Sequence, residues 1–473
     1  MLFIHHKAIN KSKPMKKKLL LLALSTFLYC VKGQTLDATI QDEMDYEKFP
    51  SVSACIIKEG KTLWKNSYGY ADVDNQVAAT SETVYLLASV SKVFTATAAM
   101  QLVEAGDVSL DADINDYLSF DIVHPNYPLT PITLRMLLTH TACIQDSDAM
   151  DNYYAYNQDP TMSLDEIMHR YFSPSGADYD VVNNFHNNEP GTFYDYSNIA
   201  TALVGYIVEE VSGMDFKTYC DQNIFEALCM DHTSWRLSDY NNSELAVPYQ
   251  YSGGSYQAYD QYTFADYPNG GLRTSVDDLS KFIAMYLKLG SLSNEIILNS
   301  STVESMMAVQ NANVDPTQGL SWYLEDLLSA SLWSHNGGED GVSTDVFLDF
   351  DNEIGIIVLT NGEGDAYYVA EAMYQYALDT PALGEEVVGC GNVGVSEADQ
   401  GISDLEFSIN DNVFWINNSG EFQLEVYGLD GKRVLNQRIN SGTELNLNNG
   451  AYLIKLTDLE DSRITNSRLY YSK

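Results

Sequence analysis

The sequence predicts an α/β (α+β) protein: a mainly antiparallel sheet flanked by helices, with an all-helical subdomain, followed by a small C-terminal β-sandwich. Three observations predict it. Strand-patterned runs lie at both ends of residues 34–380 while helical patterns fill the middle, so one sheet is built from both ends around a helical insertion. Two of the helical stretches are long and apolar, and each of those two is closed by a glycine, Gly106 and Gly213. Beyond residue 403, short alternating runs are separated by Asp-Gly and Asn-Gly turns, the pattern of a small sandwich.

At the start, Lys16, Lys17 and Lys18 precede an apolar run from Leu19 to Tyr29. A basic segment before a short apolar one reads as a signal peptide over residues 1–33, with Met15 as the expected start and cleavage before Gln34. About 11 apolar residues are too few to span a bilayer, and no other run is long enough for a transmembrane helix in the mature chain. Ser51–Ile57 and Thr62–Trp64, joined through Glu59-Gly60, read as a β-hairpin. Next comes Leu86-Leu87-Ala88-Ser89-Val90-Ser91-Lys92, then an Ala- and Met-rich helix with Gly106 past its end. Thr133–Thr141 reads as a short helix running into a turn. Residues 145–190 are rich in Asp, Asn and Tyr with weak periodicity, which suits loops walling a pocket.

Tyr194-Asp195-Tyr196-Ser197-Asn198 precedes a second strong helix, Ile199–Val211, closed by Gly213. Ser275 is placed to cap a third, Val276–Leu287. Ser334-His335-Asn336-Gly337-Gly338 leads into two strands, Thr344–Phe350 and Ile354–Thr360, and a final helix runs from Tyr367 to Leu378. Residues 381–403 read as a linker and residues 404–473 as the sandwich, with strands at Val413–Ile416, Gln423–Tyr427, Arg433–Leu435 and Ala451–Leu456.

The chain has 473 residues and a net charge of −40. Residues 1–33 hold seven lysines and no acid, so the mature chain stands at −47. Such a surface repels nucleic acid and anionic lipid, which excludes both as partners. Five cysteines remain after the signal peptide: Cys55, Cys143, Cys220, Cys229 and Cys390. With an odd number and no Cys-x-x-Cys, neither a zinc site nor a disulfide framework is legible. Most are expected to be small core residues, and which pair, if any, is bridged stays open.

Ser89 and Lys92 are three residues apart, so at a helix start they share a face. A serine hydroxyl needs an adjacent base to become a nucleophile. A lysine serves as that base when burial lowers its pKa, and Lys92 is flanked by apolar residues. An isolated Ser-x-x-Lys also arises by chance, with the serine as a helix cap. Its weight here comes from two further motifs in order along the chain, Tyr196-Ser197-Asn198 and His335-Asn336-Gly337.

Together the three motifs resemble those of the serine β-lactamase and penicillin-binding-protein superfamily, in the branch of class C β-lactamases, D-Ala-D-Ala carboxypeptidases and related esterases. The resemblance covers roughly residues 37–380 and extends to Leu137–Thr141, Pro190-Gly191-Thr192 and Gly270-Gly271-Leu272. It implies that Ser89 is acylated, that Lys92 shares its proton, and that Tyr196 shuttles protons as phenolate or through Lys92. It implies that Asn198 positions a substrate amide and that the backbone N–H groups of Ser89 and Gly338 form an oxyanion hole. Gly337 and Gly338 would keep the strand edge open to substrate, with no metal or cofactor. His124, His140, His169, His186 and His232 are assigned to structure. His335 departs from the lysine that most β-lactamases carry there, and a neutral imidazole holds a carboxylate less well. The implied substrates are therefore esters, D-amino acid peptides or amides, including peptidoglycan-derived ones, ahead of β-lactams. The alternatives are a β-lactamase proper and a catalytically silent cell-surface protein binding peptidoglycan or peptide.

The tail is similar to type IX secretion sorting domains of Bacteroidetes, through Leu424–Tyr427, Asp430–Val434, Gly450–Leu456 and the basic end at Lys473. That resemblance implies the type IX machinery as a partner and a secreted or surface location.

Overall fold

The computed structural model describes residues 35–390 and, beyond them, strands lying between 407 and 471. The chain divides into two units, one to Gly389 and one from Cys390. The expected signal peptide lies outside the described residues, as does the linker from residue 391.

Helix α1 (Leu36–Glu47) opens the first unit, capped by the Thr35 side chain on the Ala38 N–H. Strands β1 (Ser51–Lys58) and β2 (Lys61–Asp72) form the expected hairpin. The helical middle contains α2 (Ser91–Ala105), α3 (Asn198–Ser212) and α4 (Val276–Leu287). The chain then returns through β3 (Tyr323–Leu327), β4 (Ala330–Glu339), β5 (Val342–Asp349), β6 (Ile354–Thr360) and α5 (Tyr367–Asp379). A two-residue strand, β7 (Glu385–Glu386), closes it.

The sheet order is β3-β4-β5-β6-β1-β2-β7, with Val77–Ala78 also paired to β2, and every pairing is antiparallel. The central pair β1·β6 joins the two ends of the unit, as the sequence pattern requires. Side chains alternate across a strand, and both faces are covered. Val52, Ala54, Ile56, Ile356 and Val358 enter one core with α1 and α5. Cys55, Ile57, Ile357 and Leu359 enter the other with α2, α3 and α4. These strands therefore read as continuous apolar runs.

Three details differ from expectation. Residues 145–190 are not only loop: Leu164–Phe172 is a helix, capped by Ser163 on the Glu166 N–H. Ser163-x-x-Glu166 is a capping-box pattern legible in the sequence. Strand β7 lies inside the stretch expected as linker and pairs with Lys61 and Thr62 of β2. Cys55, Cys143 and Cys220 are buried free thiols, as expected of core residues, whereas Cys229 and Cys390 are disulfide-bonded.

In the second unit, Phe407–Asn410, Val413–Ile416 and Thr443–Glu444 form one antiparallel sheet. Arg433–Ile439, Phe422–Gly428, Gly450–Asp458 and Ile464–Tyr471 form another. All four strands expected here are present.

Candidate active site

Ser89 is not the first residue of α2 but the centre of the 3₁₀ turn Ala88–Val90 that leads into it. The turn is pinned from both sides. Thr344 of β5 donates to the Leu87 carbonyl at 2.8 Å, and the Leu87 N–H donates to Leu272 O at 2.8 Å. Ser91 Oγ accepts from the Leu272 N–H at 3.1 Å. Ala88 is held at φ 47°, a strained conformation for a residue with a Cβ. This brace explains why Gly270-Gly271-Leu272 belongs with the serine motif.

One turn on, Lys92 is 0% exposed. Its Nζ has three neighbours: Ser89 Oγ at 3.1 Å, Asn198 Oδ1 at 2.7 Å and Asn269 O at 2.6 Å. Burial lowers its pKa to about 7, against the opposing pull of Asp146, Glu339 and Asp266. Asn269 is fixed in turn, its Nδ2 donating to Asp266 Oδ2 at 2.7 Å. Asp266 is buried, and burial raises its pKa to about 7.

The second motif is delivered by a folded-back loop. Gly191 N–H donates to Thr141 O at 2.7 Å and Asp195 N–H to His140 O at 2.8 Å, tying Pro190–Thr192 to the turn after Leu134–Leu138. Ser197 caps α3 on the Ala200 N–H. Asp146 reaches the same helix start: Oδ2 accepts from Asn198 Nδ2 at 2.8 Å, and Oδ1 from the Ile199 N–H at 3.0 Å. Thus Asp146 orients Asn198, leaving Oδ1 of Asn198 for Lys92. Lys92 Nζ also stands 4.9 Å from the Tyr196 ring centre. Tyr196 is 37% exposed overall, but its hydroxyl meets Ser89, and burial pushes the phenol well above its ordinary pKa. That direction favours the protonated phenol over the phenolate in the resting protein.

His140 was assigned to structure, yet its ring lies 4.4 Å from that of Tyr196 and its Nδ1 accepts from the Ser197 N–H at 3.3 Å. Burial, then the electrostatic influence of Lys92 and of the His335 site, holds its pKa well down. Neither His140 nor Asp146 belongs to a local pattern, and only the Leu-Thr-His-Thr stretch hints at the former.

The third motif lies on β4. Pairing with β3 stops at Ser334, whereas pairing with β5 continues to Glu339. The Asn336 N–H turns away from β5 to Tyr323 Oη at 3.0 Å. The two-residue period of the strand carries the Gly338 N–H to the same unpaired side. Gly337 faces inward: a Cβ there would strike Leu87 O and lie 3.0 Å from Ser89 N. Gly338 faces open space. His335 is 1% exposed. Its Nδ1 donates to Asn336 O at 2.7 Å, which leaves Nε2 as a bare acceptor without a hydrogen-bond partner. Burial, and then the Lys92 charge, lowers its pKa to about 3.

The structure therefore gathers Ser89, Lys92, Tyr196, Asn198, His335, Gly337 and Gly338 into one region, from three distant stretches of chain. A separate concavity of about 480 Å³, lined by Asp45, Lys48, Tyr251 and Tyr256 among others, contains none of them.

A half-buried Ser89 beside a buried Lys92, beneath a free strand edge on an antiparallel sheet covered by helices, is an arrangement with a penicillin-binding-protein-like fold. The chain belongs to the beta-lactamase family, whose model matches residues 36–379. It is similar to Protein flp of Staphylococcus aureus strain NCTC 8325, 25% identical over 331 residues, covering 69% of this chain and 63% of that protein. Penicillin-binding protein 4* of Bacillus subtilis is 26% identical over 332 residues, covering 65% of this chain and 67% of that one. The octameric penicillin-binding protein homologue from Pyrococcus abyssi superposes with a TM-score of 0.61 at 22% identity, covering 93% and 96% of the two chains. The penicillin binding protein from Bacillus halodurans gives 0.58 at 22% identity, covering 72% and 99%. At that identity the two structures establish the fold alone.

Proposed function

We propose that this protein hydrolyses ester, D-amino acid peptide or amide substrates through an acyl-enzyme on Ser89. The observation that carries this reading is the set of neighbours around Lys92 Nζ. Two of the three are carbonyl oxygens, which only accept. A neutral amine has two N–H groups and one lone pair. The N–H groups satisfy Asn198 and Asn269, and the lone pair is left for the Ser89 hydroxyl. Lys92 then takes the proton as Ser89 attacks a carbonyl, which is general-base activation of a nucleophile.

Tyr196, protonated and meeting Ser89, passes the proton onward to the leaving group by way of Lys92. The N–H groups of Ser89 and Gly338 hold the developing oxyanion, since Gly337 brings β4 against Ser89 and the Gly338 N–H faces the unpaired side. Asn198 holds Lys92 and the substrate amide. Water then cleaves the Ser89 ester along the same proton path.

The buried neutral His335 supports placing β-lactams behind esters and peptides. A panel of p-nitrophenyl esters, D-Ala-D-Ala peptides and nitrocefin tests the order. Efficient nitrocefin turnover with little esterase activity would reverse it. We further propose that the chain is exported through its N-terminal signal and that residues 404–473 address it to the type IX machinery. Retention of a chain lacking residues 404–473 inside cells of a type IX-competent host, with export of the full chain, is the expected result.

A further inference from the structure

The cleft has a charge character that its chemistry does not require. The charges acting on Lys92 are those of Asp146, Glu339 and Asp266, all carboxylates. Glu339 lies on β4 next to Gly338, at the edge where substrate would enter, and its Oε2 accepts from the Tyr154 hydroxyl at 3.2 Å. Asp146 stands at the opposite motif, on Asn198. His335 occupies the position from which a cation would grip a carboxylate. Its Nδ1 proton is committed to Asn336 O and its Nε2 is buried without a hydrogen-bond partner, so the neutral ring supplies no cation. A carboxylate brought here meets other carboxylates and finds no cation at His335. An ammonium meets complementary charge, in a cleft whose low-dielectric walls strengthen the effect.

We infer that the cleft selects acyl donors by charge, favouring those that carry a cationic group, accepting uncharged ones, and rejecting those that carry a carboxylate. The inference rests on the Ser89 acyl-enzyme reading and narrows its substrates to amine-bearing or neutral esters and amides. It separates this cleft from sites built to hold a carboxylate, although the nucleophilic machinery is the same.

The test uses three p-nitrophenyl esters of matched size: 4-(trimethylammonio)butanoate, its uncharged tert-butyl isostere, and the glutarate monoester. The expected kcat/KM order is cationic, neutral, anionic, with about tenfold or more between the ends and a spread that shrinks as salt is raised. His335→Lys should raise turnover of the anionic ester relative to the neutral one, and Glu339→Gln, a milder change, should reduce the advantage of the cationic ester. Equal turnover of the anionic and cationic esters, or ratios indifferent to both substitutions, would overturn the inference. Failure of the neutral ester, with no fluorophosphonate labelling, would instead sink the hydrolase reading. The charge order is then decided by equilibrium binding of the three esters to the Ser89→Ala protein, where tighter binding of the cation supports the inference and equal binding ends it.

Discussion

Lys92 Nζ lies 3.1 Å from Ser89 Oγ in a setting where the amine loses its proton near pH 7. The depressed pKa fixes the direction of the pH dependence. Below about 7 the ammonium has no lone pair for the serine proton, and above it the amine does. Acylation rates should therefore rise with pH through a midpoint near 7 and fall toward nothing on the acid side. A flat profile between pH 5 and 9 in stopped-flow acylation would contradict the role given to Lys92.

Asp266 supports that midpoint from behind. Burial raises its own pKa to about 7, so it ionises over the same range as Lys92; its charged form favours the ammonium form of Lys92, and it holds Asn269 through an Oδ2 acceptor. Asp266→Asn keeps an acceptor oxygen in the side chain and removes the charge. The acid limb should move to lower pH with little loss of the maximal rate. An unmoved limb would mean that Asp266 is purely structural.

Replacing Lys92 by Ala should abolish acylation while leaving the fold intact. Tyr196→Phe, which removes only the phenolic oxygen, should slow turnover by about a hundredfold or more. The double variant should be no worse than Lys92→Ala alone, because both groups serve one proton path. Additive losses would assign them to separate steps.

Most of the fold was legible because its signals are local. The β1–β2 hairpin, the Ser275 cap of α4, the Gly213 end of α3 and the β5–β6 pair stand where turn and cap chemistry puts them. The site was legible through three short motifs. Asp146 and His140 were not, because their roles arise from contacts across 51 and 57 residues of chain. Ser89, which the sequence suggests as a helix start, instead lies two residues before it, since the 3₁₀ turn at Ala88 is imposed by Thr344 and Leu272, not by local propensity. The short strand β7 carries too few residues to show a period.

The paired glycines of β4 separate packing from chemistry. Gly337→Ala would force β4 away from Leu87 and Ser89, so it should destabilise the protein by about 1–3 kcal/mol and lose activity. Gly338→Ala meets open space and should fold normally, with its defect confined to turnover. Urea unfolding alongside ester kinetics checks both, and equal stability loss in the two variants would refute the placement of β4.

His335 also makes stability depend on pH. Its folded pKa is depressed to about 3, below the ordinary value near 6.5. Between those values the unfolded chain binds the extra proton, so stability falls as pH drops below about 6.5. The His335→Gln protein should lose less stability than the wild type between pH 7 and 5. Identical losses in urea unfolding would show that His335 titrates as an exposed imidazole.

The central claim is a covalent one, that Ser89 is acylated with Lys92 as its base. Intact-mass measurement after a brief exposure to a fluorophosphonate or a p-nitrophenyl ester tests it most directly. A single adduct that maps to Ser89, absent in Ser89→Ala and Lys92→Ala proteins that remain folded, is the predicted result. No adduct on the folded wild-type chain, or an adduct that persists in Ser89→Ala, would contradict it.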